Sequence, residues 1–142
     1  MNHEAHLQRI IHFYESLRPE NVREIGNIYA ADCQFKDPFN EVRGIAAIAD
    51  VFRRMFEQVE APRFLIGTQV MQGDDAFLTW DFRFRLRGSA TDQCIRGATH
   101  LRFDQDGLVR WHRDYWDAAE ELYEKLPVLG SLMRLLKRAT SN

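Results

Sequence analysis

The chain has 142 residues, 45% hydrophobic and 28% charged, with a formal net charge of -2. This fits one ordinary globular domain, and the slightly acidic balance argues against a dedicated nucleic-acid binder, which needs a strongly basic face. No stretch approaches the ~20 apolar residues of a membrane span, and Met1 to Phe13 carries charges and histidines instead of a signal-peptide run, so the expectation is a soluble cytoplasmic protein.

Leu7, Ile10, Ile11, Tyr14 and Leu17 recur at helical spacing, and Pro19 disfavours helix in the residue before it, so a first helix ends at Arg18. Pro19 suits the first position of a second helix, whose face of Val22, Ile25, Ile28 and Tyr29 runs up to Asp32. A strand comes next, at Cys33 to Pro38. Gly44 then precedes a third helix, with a broad stripe from Ile45 through Phe52, Met55 and Phe56 to Val59, ending before Pro62. The period then changes. Phe64 to Met71 and Ala76 to Leu86 read as strands joined at Gly73-Asp74-Asp75, and Cys94 to Phe103 and Leu108 to Trp116 as two more joined at Asp104-Gln105-Asp106-Gly107. Trp80, Phe82, Phe84 and Leu86 share one face of their strand, while Asp81, Arg83, Arg85 and Arg87 share the other, which is wet or paired with a partner. Helical spacing returns over 118–139, interrupted at Pro127 and Gly130, as a lid or dimer element.

The expected class is therefore α+β, a long curved sheet holding helices in its concavity. One domain spans 1–142, with a core of about 5–117 and a helical extension over 118–139. Cys33 and Cys94 lie in separate strands without metal or redox spacing, and read as small buried hydrophobes in a reducing compartment.

Asp37 is the most informative single residue. Alternation puts Cys33, Phe35 and Asp37 on one side of their strand, so a carboxylate is aimed at the interior. Burying an unpaired carboxylate is costly, so such a group finds donors, takes a proton or lines a cavity. A turn reading competes, because Asp before Pro is a common turn signal and Pro38 can end the strand.

The element order, and the segment YAADCQFKDPFNEVRGIAAIADVF within it, resemble the cone-shaped fold shared by ketosteroid isomerase, nuclear transport factor 2 and the SnoaL polyketide cyclases. The likeness covers Leu7 to about Trp116. It implies a SnoaL-like or ketosteroid isomerase-like member of the nuclear transport factor 2-like superfamily, with a curved sheet wrapped around three N-terminal helices. Asp37 matches the isomerase's general base, and Tyr14 its oxyanion donor on the first helix. Thr99 stands where the isomerase carries the acid that donates the second oxyanion hydrogen bond, ahead of His100-Leu101-Arg102-Phe103, so the likeness does not extend to steroid isomerisation.

In the last strand alternation and resemblance disagree. Alternation alone buries Trp111 and Tyr115, whereas register against the isomerase turns His112, Asp114 and Trp116 into the pocket. The register is preferred. It leaves Trp111, Arg113 and Tyr115 on the outer face, through which many members of the fold form dimers.

Two carboxylates in one low-dielectric pocket repel each other's ionisation, so one serves as base while the other holds a proton, with His112 able to set the balance near neutral pH. Tyr14 would donate to an enolate-like oxygen. Trp80, Phe82, Phe84 and Phe35, with Met55, Phe56, Thr99 and Trp116, would bind a small hydrophobic carbonyl compound. The expected activity is a metal-free, cofactor-free isomerase, cyclase or dehydratase, working as a homodimer through the outer sheet face. A non-catalytic ligand-binding or dimeric interaction module is the alternative. Tyr14 also reads as a core aromatic with a satisfied hydroxyl, and the Trp80 stripe as an ordinary buried strand face. Epoxide hydrolysis in this fold uses an Arg between two Asp residues. The nearest pattern is Asp81-Phe82-Arg83, with its charges on the outer face.

Overall fold

The computed structural model describes residues 2–123, so most of the expected 118–139 extension lies outside the described residues. Helix α1 (Glu4–Glu15) buries Leu7, Ile10, Ile11 and Tyr14 on the face that their spacing predicts. Pro19 does open the next helix, but as a 310 helix ending at Asn27 instead of an α-helix reaching Asp32. The sheet claims the residues beyond it. Strand β1 (Tyr29–Lys36) begins two residues later, with Tyr29 in register with Val109 and the Val109 N–H donating to the Ile28 carbonyl at 2.9 Å.

A three-residue strand, β2 (Glu41–Arg43), folds back on β1. Helix α2 (Ile45–Gln58) packs Ile48, Ala49 and Phe52 inward. Strands β3 (Val59–Gln72), β4 (Asp75–Leu86), β5 (Asp92–Phe103) and β6 (Val109–Tyr115) complete the sheet, whose order is β2-β1-β6-β5-β4-β3. Every pairing is antiparallel except β1 with β6, where the first long strand and the last run in parallel. Both therefore end at the same rim. Strand β3 is longer than expected and includes Pro62, tolerated because β3 is an edge strand with irregular pairing between Glu60 and Arg63.

The helices and the inner sheet face enclose a core built on residues such as Leu7, Ile25, Tyr29, Ile48, Leu101 and Phe103. A second cluster, Trp80, Phe84 and Ile95 with Phe39, Phe82 and Trp116 against it, adjoins that core through Ile66 and Phe64. The outer arginine row is not uniform. Arg83 and Arg85 lie 3.8 Å and 3.9 Å from Asp81 and Asp92. Arg87 instead donates to the carbonyls of Phe56 and Glu57, capping the C-terminal end of α2, where a cation is favoured.

Candidate active site

A chain of polar side chains crosses the interior. Trp80 Nε1 donates to Thr99 Oγ at 2.8 Å, and Thr99 Oγ donates to Asp114 Oδ1 at 2.5 Å. His112 Nε2 lies 2.7 Å from the same oxygen. On the other side of the ring, His112 Nδ1 is 2.9 Å from the Tyr29 hydroxyl and 3.1 Å from that of Tyr14, and the two hydroxyls are 2.5 Å apart. Thr99, His112, Tyr14 and Tyr29 are all buried. Burial pushes both tyrosine hydroxyls well above their ordinary pKa, so both are neutral donors. Phe35 stacks on the His112 ring with centroids 4.4 Å apart, as expected for partners across the parallel β1–β6 pair.

Asp37 satisfies both readings of its sequence. It comes directly after β1, and its carboxylate accepts from the Phe39 N–H at 2.8 Å, the Asn40 N–H at 2.6 Å and the Asn40 side-chain amide at 3.1 Å. It thus anchors the β1–β2 turn. It is also half-buried and lines an open cleft of about 610 Å3 at the rim where β1 and β6 end, together with Lys36, Arg113, Asp114 and Trp116. Burial raises the Asp37 pKa, the Asn40 and Phe39 hydrogen bonds oppose the rise, and the nearby Asp114 charge adds to it. The net shift is upward, so burial and like charge outweigh three donors. Its Oδ1 is saturated by those donors, while Oδ2 accepts only from the Asn40 amide at 3.1 Å.

The structure thus brings Asp37, Asp114 and Trp116 to one cleft, and Tyr14, His112, Asp114, Thr99 and Trp80 into one hydrogen-bonded chain. Tyr14 does not line that cleft, and its hydroxyl is satisfied by Tyr29 and His112. Phe82 and Phe84 stack on one another beside Trp80, whereas Met55 and Phe56 pack against the main core. Trp116 meets Phe39 edge-on, with ring centroids 5.5 Å apart. His112 is 3% exposed and Tyr115 48%, so the register reading of β6 holds and simple alternation fails there. His100 lies on the outer face, stacked on Phe77 and 2.7 Å from Asp75. Among the described residues no cluster of His, Cys, Asp or Glu has the arrangement of a metal site.

Sequence reasoning missed Tyr29, Phe39 and Asn40. Tyr29 shares parity with Cys33 and Phe35, which was the available signal, but exposed Ala31 and Asp32 interrupt the alternation where the β1–β6 register shifts. Asn40 stands three residues after Asp37, the spacing of a side chain closing a short turn.

The sequence profile of the SnoaL-like domain matches residues 10–112, and no curated protein matches the chain. Among solved structures, a Shewanella denitrificans OS-217 protein assigned as a SnoaL-like polyketide cyclase is 19% identical, with a TM-score of 0.74 over 88% of this chain and 98% of its own. An LEH-like epoxide hydrolase of M. tuberculosis is 16% identical, with a TM-score of 0.70 over 94% of this chain and 96% of its own. A Catenulispora acidiphila DSM 44928 protein with a ketosteroid isomerase-like fold, crystallised with trimethylamine, is 18% identical, with a TM-score of 0.72 over 84% of this chain and 91% of its own. At these identities the structural likenesses show the fold, and the profile match over residues 10–112 shows the family: this chain belongs to the SnoaL-like domain family.

Proposed function

We propose that the protein binds a small apolar carbonyl compound at the β1–β6 rim and moves a proton next to its carbonyl without a cofactor, as an isomerase, cyclase or dehydratase. One observation carries the reading: Asp37 and Asp114 line a single cleft, and Asp114 is backed by buried His112. Asp37, with its raised pKa, is the carboxyl that holds the proton, and Asp114, held at Oδ1 by Thr99 and His112, is the base. This reverses the roles implied by likeness to ketosteroid isomerase. Trp116 and Phe39 supply apolar surface beside the carboxylates. Asp81 and Arg83 pair with each other on the outer face, away from Trp80, which disfavours epoxide opening by that pair.

The proposal includes a homodimer through the outer sheet face, supported by Phe77 and Tyr115, large apolar residues each 48% exposed there. It also places the protein in the reducing cytoplasm, where the buried Cys33 stays a thiol. No helix of the described residues is long and apolar enough to cross a membrane.

The test is deuterium uptake at the α-carbon of β-tetralone in D2O, monitored by proton NMR. The wild type should exceed the buffer rate, and Asp114→Asn should return it to that rate. Exchange that never exceeds buffer, with β-tetralone seen to bind in a titration, favours the non-catalytic binding module, a reading that Asp37's full engagement in its turn also supports.

A further inference from the structure

We propose that Tyr29 and Tyr14 are positioning residues that lock His112 as a neutral ring bearing its proton on Nε2, so that Asp114 always meets a fixed donor and reacts through Oδ2 alone. The inference deepens the acid/base reading and takes its catalytic meaning from it. Its structural content stands on proton counting.

The direction of the chain is set at its far end. An indole N–H only donates, so Thr99 Oγ accepts from Trp80 and turns its own proton to Asp114 Oδ1. His112 Nε2, 2.7 Å from that oxygen, donates to it as well, because two lone pairs do not share a contact this short. Two donors fill Oδ1 and leave Oδ2 for the cleft.

With its proton on Nε2, a neutral ring presents a bare lone pair at Nδ1. Either tyrosine hydroxyl reaches it, and the second hydroxyl donates to the first across 2.5 Å. Two protons then serve three heteroatoms, and each proton has an acceptor. Protonating Nδ1 adds a third proton to the trio. The ring N–H could be accepted by one tyrosine and that hydroxyl by the other, but the last hydroxyl proton then has no further acceptor among the hydrogen bonds of the described residues. A buried donor left that way is costly.

The other ionisable groups facing this site do not relieve it. Asp114 on β6 is engaged on the Nε2 side, and Asp37 lies beyond it across the cleft. Cys33 on β1, beside the tyrosines, has its thiol pushed up to about 12 and stays neutral. His112 thereby serves as a fixed hydrogen-bond donor, and the proton traffic falls on Asp114 and Asp37.

The test is 15N NMR of the histidine rings in the full-length protein across the pH range in which it stays folded, with no ligand present. Wild-type His112 should show a pyrrole-like Nε2 and a pyridine-like Nδ1 throughout. Tyr14→Phe and Tyr29→Phe should each keep that signature, because the remaining hydroxyl still reaches Nδ1. The double variant withdraws the last donor to Nδ1, and its ring should lose the fixed wild-type signature, the two nitrogen shifts moving toward each other. A wild-type ring protonated on both nitrogens at neutral pH, or protonated on Nδ1 alone, overturns the proposal. So does a folded double variant whose ring keeps the wild-type signature. If the double variant does not fold, the wild-type and single-variant spectra still decide. Deuterium exchange on β-tetralone is read separately, so a locked His112 in a protein without exchange removes the catalytic reading and leaves the lock.

Discussion

Thr99→Val tests the polar chain most directly, because valine keeps the shape of threonine and removes only the hydroxyl. The Trp80 indole N–H, in a residue 8% exposed, loses its acceptor, and an unsatisfied buried donor costs about 1–3 kcal/mol. Asp114 Oδ1 loses a hydrogen bond to a charged acceptor, worth about 1.5–3 kcal/mol when buried. The Asp114 side chain is 19% exposed, so water recovers part of that second loss. The two penalties share one hydroxyl and do not add in full, which leaves an expected destabilisation of about 2–4 kcal/mol. Urea unfolding monitored by tryptophan fluorescence and by circular dichroism measures it, with coincident transitions required. Asp114→Asn and the double variant complete a cycle, in which coupling between Thr99 and Asp114 should exceed about 0.5 kcal/mol. A Thr99→Val loss below about 1 kcal/mol, with no coupling, refutes the hydrogen-bond assignment, since a buried donor cannot lose its acceptor so cheaply.

Gly97→Ala should destabilise by about 1–3 kcal/mol through overpacking, because its new Cβ would lie 2.5 Å from Trp80 Cη2 and 3.0 Å from the Tyr115 carbonyl oxygen; thermal unfolding and the near-UV dichroism of Trp80 report it. Asp37 has a folded pKa above its ordinary 3.8, so the native state binds the proton more tightly and the residue's contribution to stability falls as pH rises from that value through the raised one. The stability of Asp37→Asn relative to wild type should therefore improve across that window, and urea midpoints that run parallel at every pH would contradict the shift. Cys33, with its thiol pushed up to about 12, should resist a disulfide reagent at pH 8 in the folded protein and react once urea unfolds it. If the protein pairs through its outer sheet face as proposed, Phe77→Glu should lower the mass read by light scattering, and an unchanged mass would remove that dimer.

Local pattern carried much of the fold. Residues four apart on α1 and two apart on β4 were already on the correct faces, because each element buries one side and its period is fixed. What failed was decided by pairing. Tyr29 looked like the last residue of a helix face, yet hydrogen bonding to Val109 at the sheet's parallel seam drew it into β1. Strand β2, at three residues, is too short to show a period. His112 was legible only through register against the isomerase, since alternation on β6 predicts the opposite face. Arg87 matched the outward period of β4, but it lies past the strand's end and was free to turn back onto α2.

The departure from the isomerase pattern has a geometric consequence. Thr99 occupies the place of the missing acid, and its direct partner across the β5–β6 ladder is Asp114. A carboxylate is thus present one strand over from where the isomerase keeps it, and the hydroxyl at the vacated position ties it down through Oδ1. Moving the carboxylate onto β6 also places it two residues from His112, on the same inward face, where a strand's period lets the two side chains meet at 2.7 Å. A carboxyl at position 99 would instead lie opposite residue 114, two residues along β6 from His112. Restoring the acid as Thr99→Asp should therefore set two carboxyls in contact across the ladder, forcing one to hold its proton. The variant's stability should then fall steeply as pH rises through the range in which the second carboxyl ionises, whereas Thr99→Asn, of equal size, should show no such slope. Equal pH profiles for the two variants would mean that position 99 and Asp114 do not share a site.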